Sequence, residues 1–410
     1  MEPAGLTRRL VLGGGSALLA GRSRGAWAGE PVRIGVLNDQ SGLYADLGGP
    51  GSVIAARMAV EDMAAEGTGG ALAGRPVEVL VGDHQNKAEI GAAIARRWFD
   101  EDGVGMAIGF DNSAVALAVE RVAADRDRIA VGTAVGSVDF VGRNCPPTAA
   151  SWLYDSYALT TSLARSMVAA GQDTWFFLTV DYAFGHSMEN DARRAVEAAG
   201  GRVLGRVLHP LGTADFSAYL LAAQASGAKV IALANSGGDM VNATKQADEF
   251  GLRQSGRTLA AMLVFITDIH SLGLPAAQGL RFVTAFYWDR DAQTRAWSRR
   301  FAARHSAMPT MAQAGVWSAT RHYLRALAAG SGDGGAAVMA RMRAMPVDDF
   351  YVRGGRLRAD GRLLHDMMLM QVKTPSQSAG AWDYYRKLAD IPASQAFRPL
   401  AESDCPLVHS

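Results

Sequence analysis

The amino-acid sequence predicts two α/β lobes, each built on a doubly wound parallel sheet. The chain has 410 residues, which is long enough for two separate hydrophobic cores. Short and almost continuously apolar runs, typical of buried parallel strands, alternate with longer runs in which apolar residues recur every three or four positions, as in amphipathic helices. This alternation stops at a polar stretch, residues 143–151, and then begins again. The restart indicates a second lobe of the same class.

The first lobe begins after residue 31. Strands are expected at residues 32–38, 76–83, 104–109 and 128–133, and helices between them at residues 52–65, 88–100 and 113–124. Because each strand is followed by a helix and then another strand, the sheet is expected to be parallel, with helices on both faces.

The second series follows the same order. Its strands are expected at residues 174–180, 202–209, 228–235 and 259–266, and its helices at residues 157–170, 187–199, 216–225 and 238–250. A strand at residues 280–288 then leads into helices at residues 292–305, 311–329 and 336–344. Residues 350–372 alternate around two turn signals and predict a hairpin.

The first 28 residues predict an export signal. They combine paired arginines, Arg8 and Arg9, with a short apolar run and an Ala26-Trp27-Ala28 cleavage pattern. The paired arginines fit the twin-arginine route, but the general-secretory route stays open. The mature protein is expected to begin near Gly29 and to reside in the periplasm.

Composition and motif spacing argue against several classes of function. The formal net charge is +1, so no electrostatic footprint for nucleic acid or a membrane surface is present. The eight histidines form no HExxH pair, the mature chain has no GxSxG elbow, and no GxGxxG follows a strand. We therefore expect neither an enzyme nor a cofactor, and the cysteine and histidine spacing predicts no metal site.

The two cysteines, Cys145 and Cys405, each lie beside a proline in polar sequence, so both are expected near the surface. In an oxidising compartment a disulfide between them is the first expectation, and it pins the C-terminal tail. Two unpaired thiols are the alternative.

Several segments, in this order, resemble the type I periplasmic-binding family typified by the leucine/isoleucine/valine-binding proteins. They are IGVLNDQSGLYADLGGPGSVIAARMAVEDM, LVGDHQNKAEIGAAIARRWFDEDGVGMAIG, LTVDYAFGHSMENDARRAVEAAGGRVLG and HDMMLMQVK, and the similarity runs over residues 32–373. The resemblance implies an extracytoplasmic receptor of an ABC importer. Such a receptor captures a small polar solute of the amino-acid, carboxylate or amide type and passes it to a membrane permease. We expect a monomer, and a soluble sensor for a membrane signalling receptor is the alternative.

The resemblance also implies that the chain crosses between the lobes three times, at hinges near residues 150–155, 285–289 and 346–350. The expected division is a signal peptide at 1–28, a first lobe of residues 29–152 plus 287–346, a second lobe of residues 153–286 plus 347–389, and a tail at 390–410.

Candidate ligand-binding residues in the first lobe follow two strands, where small ligands bind in this kind of sheet. Asn112 and Ser113 begin a helix whose free N–H groups suit a carboxylate, and the family's carboxylate-binding serine maps near Ser113. Either residue can instead be an ordinary N-cap. Ala134, Gly136 and Ser137 follow the next strand, where the family offers main-chain groups and a threonine hydroxyl. Gly136 falls near that threonine, so the hydroxyl is lost or supplied by Ser137.

The remaining candidates are mostly in the second lobe. Phe184 falls where relatives place a tyrosine over the ligand, with Tyr182 beside it, although Phe184 can instead belong to the core. Asn235 follows the next strand. Asp268 falls near the family's amine-binding acid, and it can pair with a ligand ammonium or cap a helix. Tyr44, in the loop after the first strand, is a candidate aromatic wall.

Overall fold

The structure, a computed structural model, describes residues 29–67, 74–143 and 145–408, together with residues 1 and 72. Apart from Met1, the predicted export signal lies outside the described residues. A five-stranded parallel sheet forms the first lobe, in the order β2-β1-β3-β4-β5. Its elements are β1 (Val32–Asn38), α1 (Gly49–Ala65), β2 (Val77–Asp83), α2 (Ala88–Asp100), β3 (Val104–Gly109), α3 (Ser113–Ala124), β4 (Ile129–Gly132) and β5 (Ala149–Ser151).

The second lobe is built on a four-stranded parallel sheet in the order β7-β6-β8-β9. All seven residues of β6 are buried, because helices cover both faces of this central strand. The elements are α4 (Ser156–Ala169), β6 (Thr174–Val180), α5 (Ala183–Ala198), β7 (Arg202–His209), α6 (Ser217–Ala225), β8 (Val230–Ala234), α7 (Gly238–Glu249), β9 (Thr258–Ala261), α8 (Ile266–Leu272) and α9 (Leu274–Ala277). The predicted pair of doubly wound parallel sheets is confirmed.

After β10 (Arg281–Thr284) the chain returns to the first lobe as α10 (Ala292–His305), α11 (Met311–Ala328) and α12 (Gly335–Ala344). Helix α11 packs along α1, where the indole of Trp317 donates to Asp62 at 2.9 Å and Arg321 pairs with Glu66 at 2.9 Å. These contacts assign the three helices to the first lobe.

The third crossing lies further along the chain than residues 346–350, where the sequence placed it. The short hairpin of β11 (Arg356–Leu357) and β12 (Leu363–Leu364) stays with the first lobe, because Ser151 N donates to Gly361 O at 2.9 Å. The chain then enters an antiparallel sheet in the order β10-β13-β14, formed with β13 (Met367–Val372) and β14 (Tyr385–Ile391). The crossing is therefore near residues 365–366.

The C-terminal tail contacts both lobes and links them to each other. Helix α13 (Ala393–Ala396) packs against α4, and Arg398 pairs with Asp191 of α5 at 2.8 Å, both in the second lobe. Cys405 then forms a disulfide with Cys145 of the first lobe, with the Cα atoms 5.6 Å apart. Both cysteines are buried, so the expectation that they lie near the surface is wrong. Among the described residues no helix is long and apolar enough to cross a bilayer.

Candidate functional site

A small cavity of about 10 Å³ lies between the two lobes, at the carboxyl ends of their parallel strands. Both lobes contribute to its wall, which is largely aromatic. Five of the ten predicted ligand-binding residues line it: Tyr44, Ser113, Ala134, Tyr182 and Phe184. Six further residues complete the wall: Leu47, Asp111, Tyr154, Ser236, Leu263 and Phe265.

Two neighbouring residues at the start of helix α3 have different roles. Asn112 is the N-cap, and its side-chain oxygen accepts from Ala114 N at 2.9 Å and Val115 N at 3.3 Å. Ser113 faces the cavity, and its hydroxyl oxygen accepts from Ser137 N at 3.2 Å. The hydroxyl hydrogen of Ser113 therefore remains available to a ligand.

Asp111 is the acidic group on the cavity wall. It accepts from Asn38 Nδ2 at 2.6 Å and from Asp39 N at 3.1 Å; Asn38 is the last residue of β1 and Asp39 begins the loop that follows. Burial raises the pKa of Asp111 to about 7. Asp111 therefore fixes the first-lobe loop and presents a weakly acidic carboxyl group to the cavity.

Two hydroxyl groups on the wall have no hydrogen-bond partner among the described residues. They belong to Tyr154, on the first crossing between the lobes, and Ser236, two residues after β8. Tyr154 is 1% exposed and Ser236 is 3% exposed. A buried hydroxyl without a partner costs about 1–3 kcal/mol, so such groups usually meet a polar ligand or water.

Aromatic side chains form the second-lobe wall. Helix α5 begins at Ala183, four residues earlier than predicted, so Phe184 lies in its first turn and is buried against the cavity. Tyr182, the N-cap residue of α5, donates to or accepts from the Tyr44 hydroxyl across the cleft at 2.9 Å. Burial is the main cause of the raised pKa of both phenols, which are therefore neutral at ordinary pH.

Five predicted site residues do not line the cavity. Asn112 caps α3, Gly136 lies under the Phe184 ring, and Ser137 bonds across the cleft to Ser187. Asn235 Nδ2 contacts His209 Nε2 at 3.0 Å, and Asn235 Oδ1 is buried without a hydrogen-bond partner among the described residues.

Asp268 caps helix α8. Capping was one of the two roles expected for this residue, and pairing with a ligand ammonium was the other. Its carboxylate accepts from Phe265 N at 2.8 Å, and burial raises its pKa to about 7. The helix begins at Ile266, and β9 already ends at Ala261, not at residue 266 as predicted. Leu263 and Phe265 leave the sheet as a result and form the apolar end of the cavity. Among the described residues no group of three or more acidic, histidine or cysteine side chains is placed to hold a metal ion.

Comparison with known proteins agrees with this architecture. The family model for periplasmic binding proteins matches residues 31–381. A periplasmic binding protein from Burkholderia mallei shares 44% identity, with a TM-score of 0.88, over 92% of this chain and 99% of its own. A branched chain amino acid ABC transporter periplasmic ligand-binding protein from Burkholderia xenovorans shares 39% identity, with a TM-score of 0.81, over 92% and 100%.

A solute binding protein of an ABC transporter from Rhodopseudomonas palustris, in complex with benzoate, shares the fold at 18% identity, with a TM-score of 0.76 over 88% of this chain and 97% of its own. No curated protein matches the sequence significantly. The family match and the two-lobed architecture lead to the same conclusion: the chain belongs to the type I periplasmic binding proteins, the solute-binding proteins of ABC transporters.

Proposed function

We propose that the protein is the receptor of an ABC importer and captures a small polar solute, of the amino-acid, carboxylate or amide type, by closing its lobes around it. One observation carries this proposal: the interlobe cavity is walled by both lobes and contains the unpartnered hydroxyls of Tyr154 and Ser236. A ligand that contacts both lobes stabilises the closed form by the difference between its affinities for the closed and open forms. The permease of the importer then receives the solute.

The chemistry of the wall supports a ligand with a polar end and an apolar body. Ser113, Tyr154 and Ser236 offer hydroxyl groups, which suit carboxylate, carbonyl or amide oxygens. Phe184 and Phe265 cover the other part of the cavity. The Burkholderia xenovorans relative, at 39% identity, supports amino acids as the first class to test.

The proposal includes export, since a receptor of this kind works outside the cytoplasm. The paired arginines and the Ala26-Trp27-Ala28 pattern support cleavage after Ala28. N-terminal sequencing of protein recovered from the periplasm should therefore begin at Gly29 or within a few residues of it. Periplasmic protein that retains Met1 contradicts the cleavage site.

The binding proposal is tested by a thermal-shift screen of amino acids, small carboxylates including benzoate, and small amides. A true ligand raises the melting temperature, because it binds the folded protein alone. Tyr154→Phe and Ser236→Ala should each weaken its binding by about 5- to 30-fold, which corresponds to about 1–2 kcal/mol for a lost hydrogen bond. Isothermal titration calorimetry measures the change.

Tyr351→Phe is the matched control. Its hydroxyl is also buried and has no partner among the described residues, but Tyr351 does not line the interlobe cavity. This variant should bind the ligand as tightly as wild type. If no solute of the three classes stabilises the protein, or if both cavity variants bind like wild type, the proposed capture site is wrong.

A further inference from the structure

We propose that direct contacts between the lobes, several of them made by residues that do not line the cavity, hold the closed conformation and thereby set the ligand affinity. This inference rests on the proposed solute capture and describes how that site is regulated. The contacts, together named the interlobe latch, are Gly136 with Phe184, Gly237 with Tyr44, Ser137 with Ser187, and Tyr44 with Tyr182.

Gly136 of the first lobe lets the Phe184 ring of the second lobe rest on its backbone. A Cβ atom on Gly136 would lie 2.5 Å from Cδ2 and 2.7 Å from Cε2 of that ring. Gly136 does not have a positive φ, so alanine is allowed there by the local backbone. The absence of a side chain at position 136 is therefore required only by the approach of the other lobe.

Gly237 makes the reciprocal contact on the other side of the cavity. This glycine belongs to the second lobe, and a Cβ atom there would lie 3.0 Å from Cδ1 of Tyr44 in the first lobe. Each lobe thus presents a glycine to an aromatic side chain of its partner lobe. A Cβ atom on Gly136 would overlap the Phe184 ring, whereas one on Gly237, which has a φ of +57°, would require Tyr44 to shift by a few tenths of an ångström.

Two hydrogen bonds between the lobes complete the latch. The hydroxyls of Ser137 and Ser187 lie 3.1 Å apart, and those of Tyr44 and Tyr182 lie 2.9 Å apart. All four side chains are buried or nearly so, which makes an unpaired hydroxyl costly there. Opening the lobes exposes these groups to water, so the bonds give the closed form a modest advantage that needs no ligand.

The latch affects affinity through the population of the closed form. The apparent Kd equals the intrinsic Kd divided by the fraction of molecules in the binding-competent conformation. A change that opens the lobes therefore weakens binding even when every cavity residue keeps its identity. Residues 136 and 237 control affinity in this way without lining the cavity.

Gly136→Ala tests the latch. Small-angle X-ray scattering without ligand should show wild type closed and the variant with a larger radius of gyration. Its apparent Kd for the solute found by the thermal-shift screen should rise at least tenfold. The melting temperature of the unliganded variant should stay near the wild-type value, because both lobe cores are unchanged. Gly330→Ala is the control: the three atoms nearest to a Cβ atom there all belong to Arg341 of the same lobe, the closest at 3.1 Å, so scattering and Kd should not change.

The double variant Gly136→Ala/Phe184→Ala distinguishes a steric clash with the Phe184 ring from a general destabilisation of the protein. Removing the ring relieves the clash, so the radius of gyration should return toward the wild-type value. Ser187→Ala, which adds no bulk, should weaken binding by a smaller factor of about 3 to 10. The proposal is overturned if unliganded wild type is open, or if Gly136→Ala changes neither scattering nor Kd. In both cases a solute that stabilises the protein still upholds the receptor function.

Discussion

Replacing Arg362 with methionine is expected to destabilise the fold by about 3–5 kcal/mol, the usual cost of removing one partner of a buried ion pair. Arg362 is 3% exposed, and its guanidinium pairs with Asp155 at 2.9 Å. It also donates to Tyr154 O at 3.1 Å and to the Ser151 hydroxyl. These three partners belong to the first crossing between the lobes. Arg362 therefore joins that crossing to the β11–β12 hairpin, which precedes the third crossing. The variant leaves the Asp155 charge buried and uncompensated.

Equilibrium unfolding in urea measures this loss. Arg33→Met is the matched control, because Arg33 pairs with Glu78 at the surface, and an exposed pair contributes at most about 1 kcal/mol. Adding Asp155→Asn to Arg362→Met should recover part of the stability, since the amide keeps an oxygen for Ala158 N and carries no charge. An Arg362→Met variant as stable as Arg33→Met contradicts the role given to this pair.

The second large effect concerns the disulfide. The double variant Cys145→Ser/Cys405→Ser is expected to lose about 3–5 kcal/mol, because the bond closes a loop with a sequence separation of 260 and so restricts the unfolded chain. Urea unfolding of the oxidised protein, the reduced protein and the double variant measures the loss. The free energies of unfolding of the reduced protein and the double variant should agree within about 1 kcal/mol. Such agreement shows that the loss of the bond, and not the change of side chain, causes the destabilisation.

Loss of the bond should also release the tail. Without it, the last residues are held by the Arg398–Asp191 pair, the packing of α13 on α4, the Arg398 guanidinium over the Tyr157 ring and a hydrogen bond from Arg358 to Arg398 O. Limited proteolysis should then remove residues beyond 396 first. A double variant that unfolds at the same urea concentration as oxidised wild type contradicts the predicted stabilisation.

The sequence was sufficient to predict the two sheets, because buried parallel strands are nearly continuous apolar runs and their boundaries are sharp. Strands β1, β3, β6 and β7 lie where predicted, residue for residue. The order of strand and helix was also sufficient to predict that Ser113, the first residue of α3, lies at the cavity. The end of β9 was harder to predict: the strand ends at Ala261, whereas the apolar run continues through Phe265 to the start of α8 and gives no sign of this.

The missed site residues share one cause, which is that their role depends on contacts between distant parts of the chain. Tyr154 was assigned to a hinge, and only the position of the second lobe shows that it faces the cavity. Ser236 is adjacent to Asn235, which was predicted in its place. Asn235 instead contacts His209, which lies in another strand and could not be identified as its partner from the sequence. Gly136 was predicted to bind the ligand, whereas it packs against the Phe184 ring of the opposite lobe.

The position of the disulfide also bears on proteolytic damage. All three crossings between the lobes lie between Cys145 and Cys405 in the sequence, so the bond closes a covalent ring that contains every hinge. Exposed connecting segments are where proteases most often cut a folded chain. One cut within the ring opens it but leaves both lobes in a single covalent molecule. Two cuts, or one cut and reduction of the bond, are needed to divide the protein into separate chains.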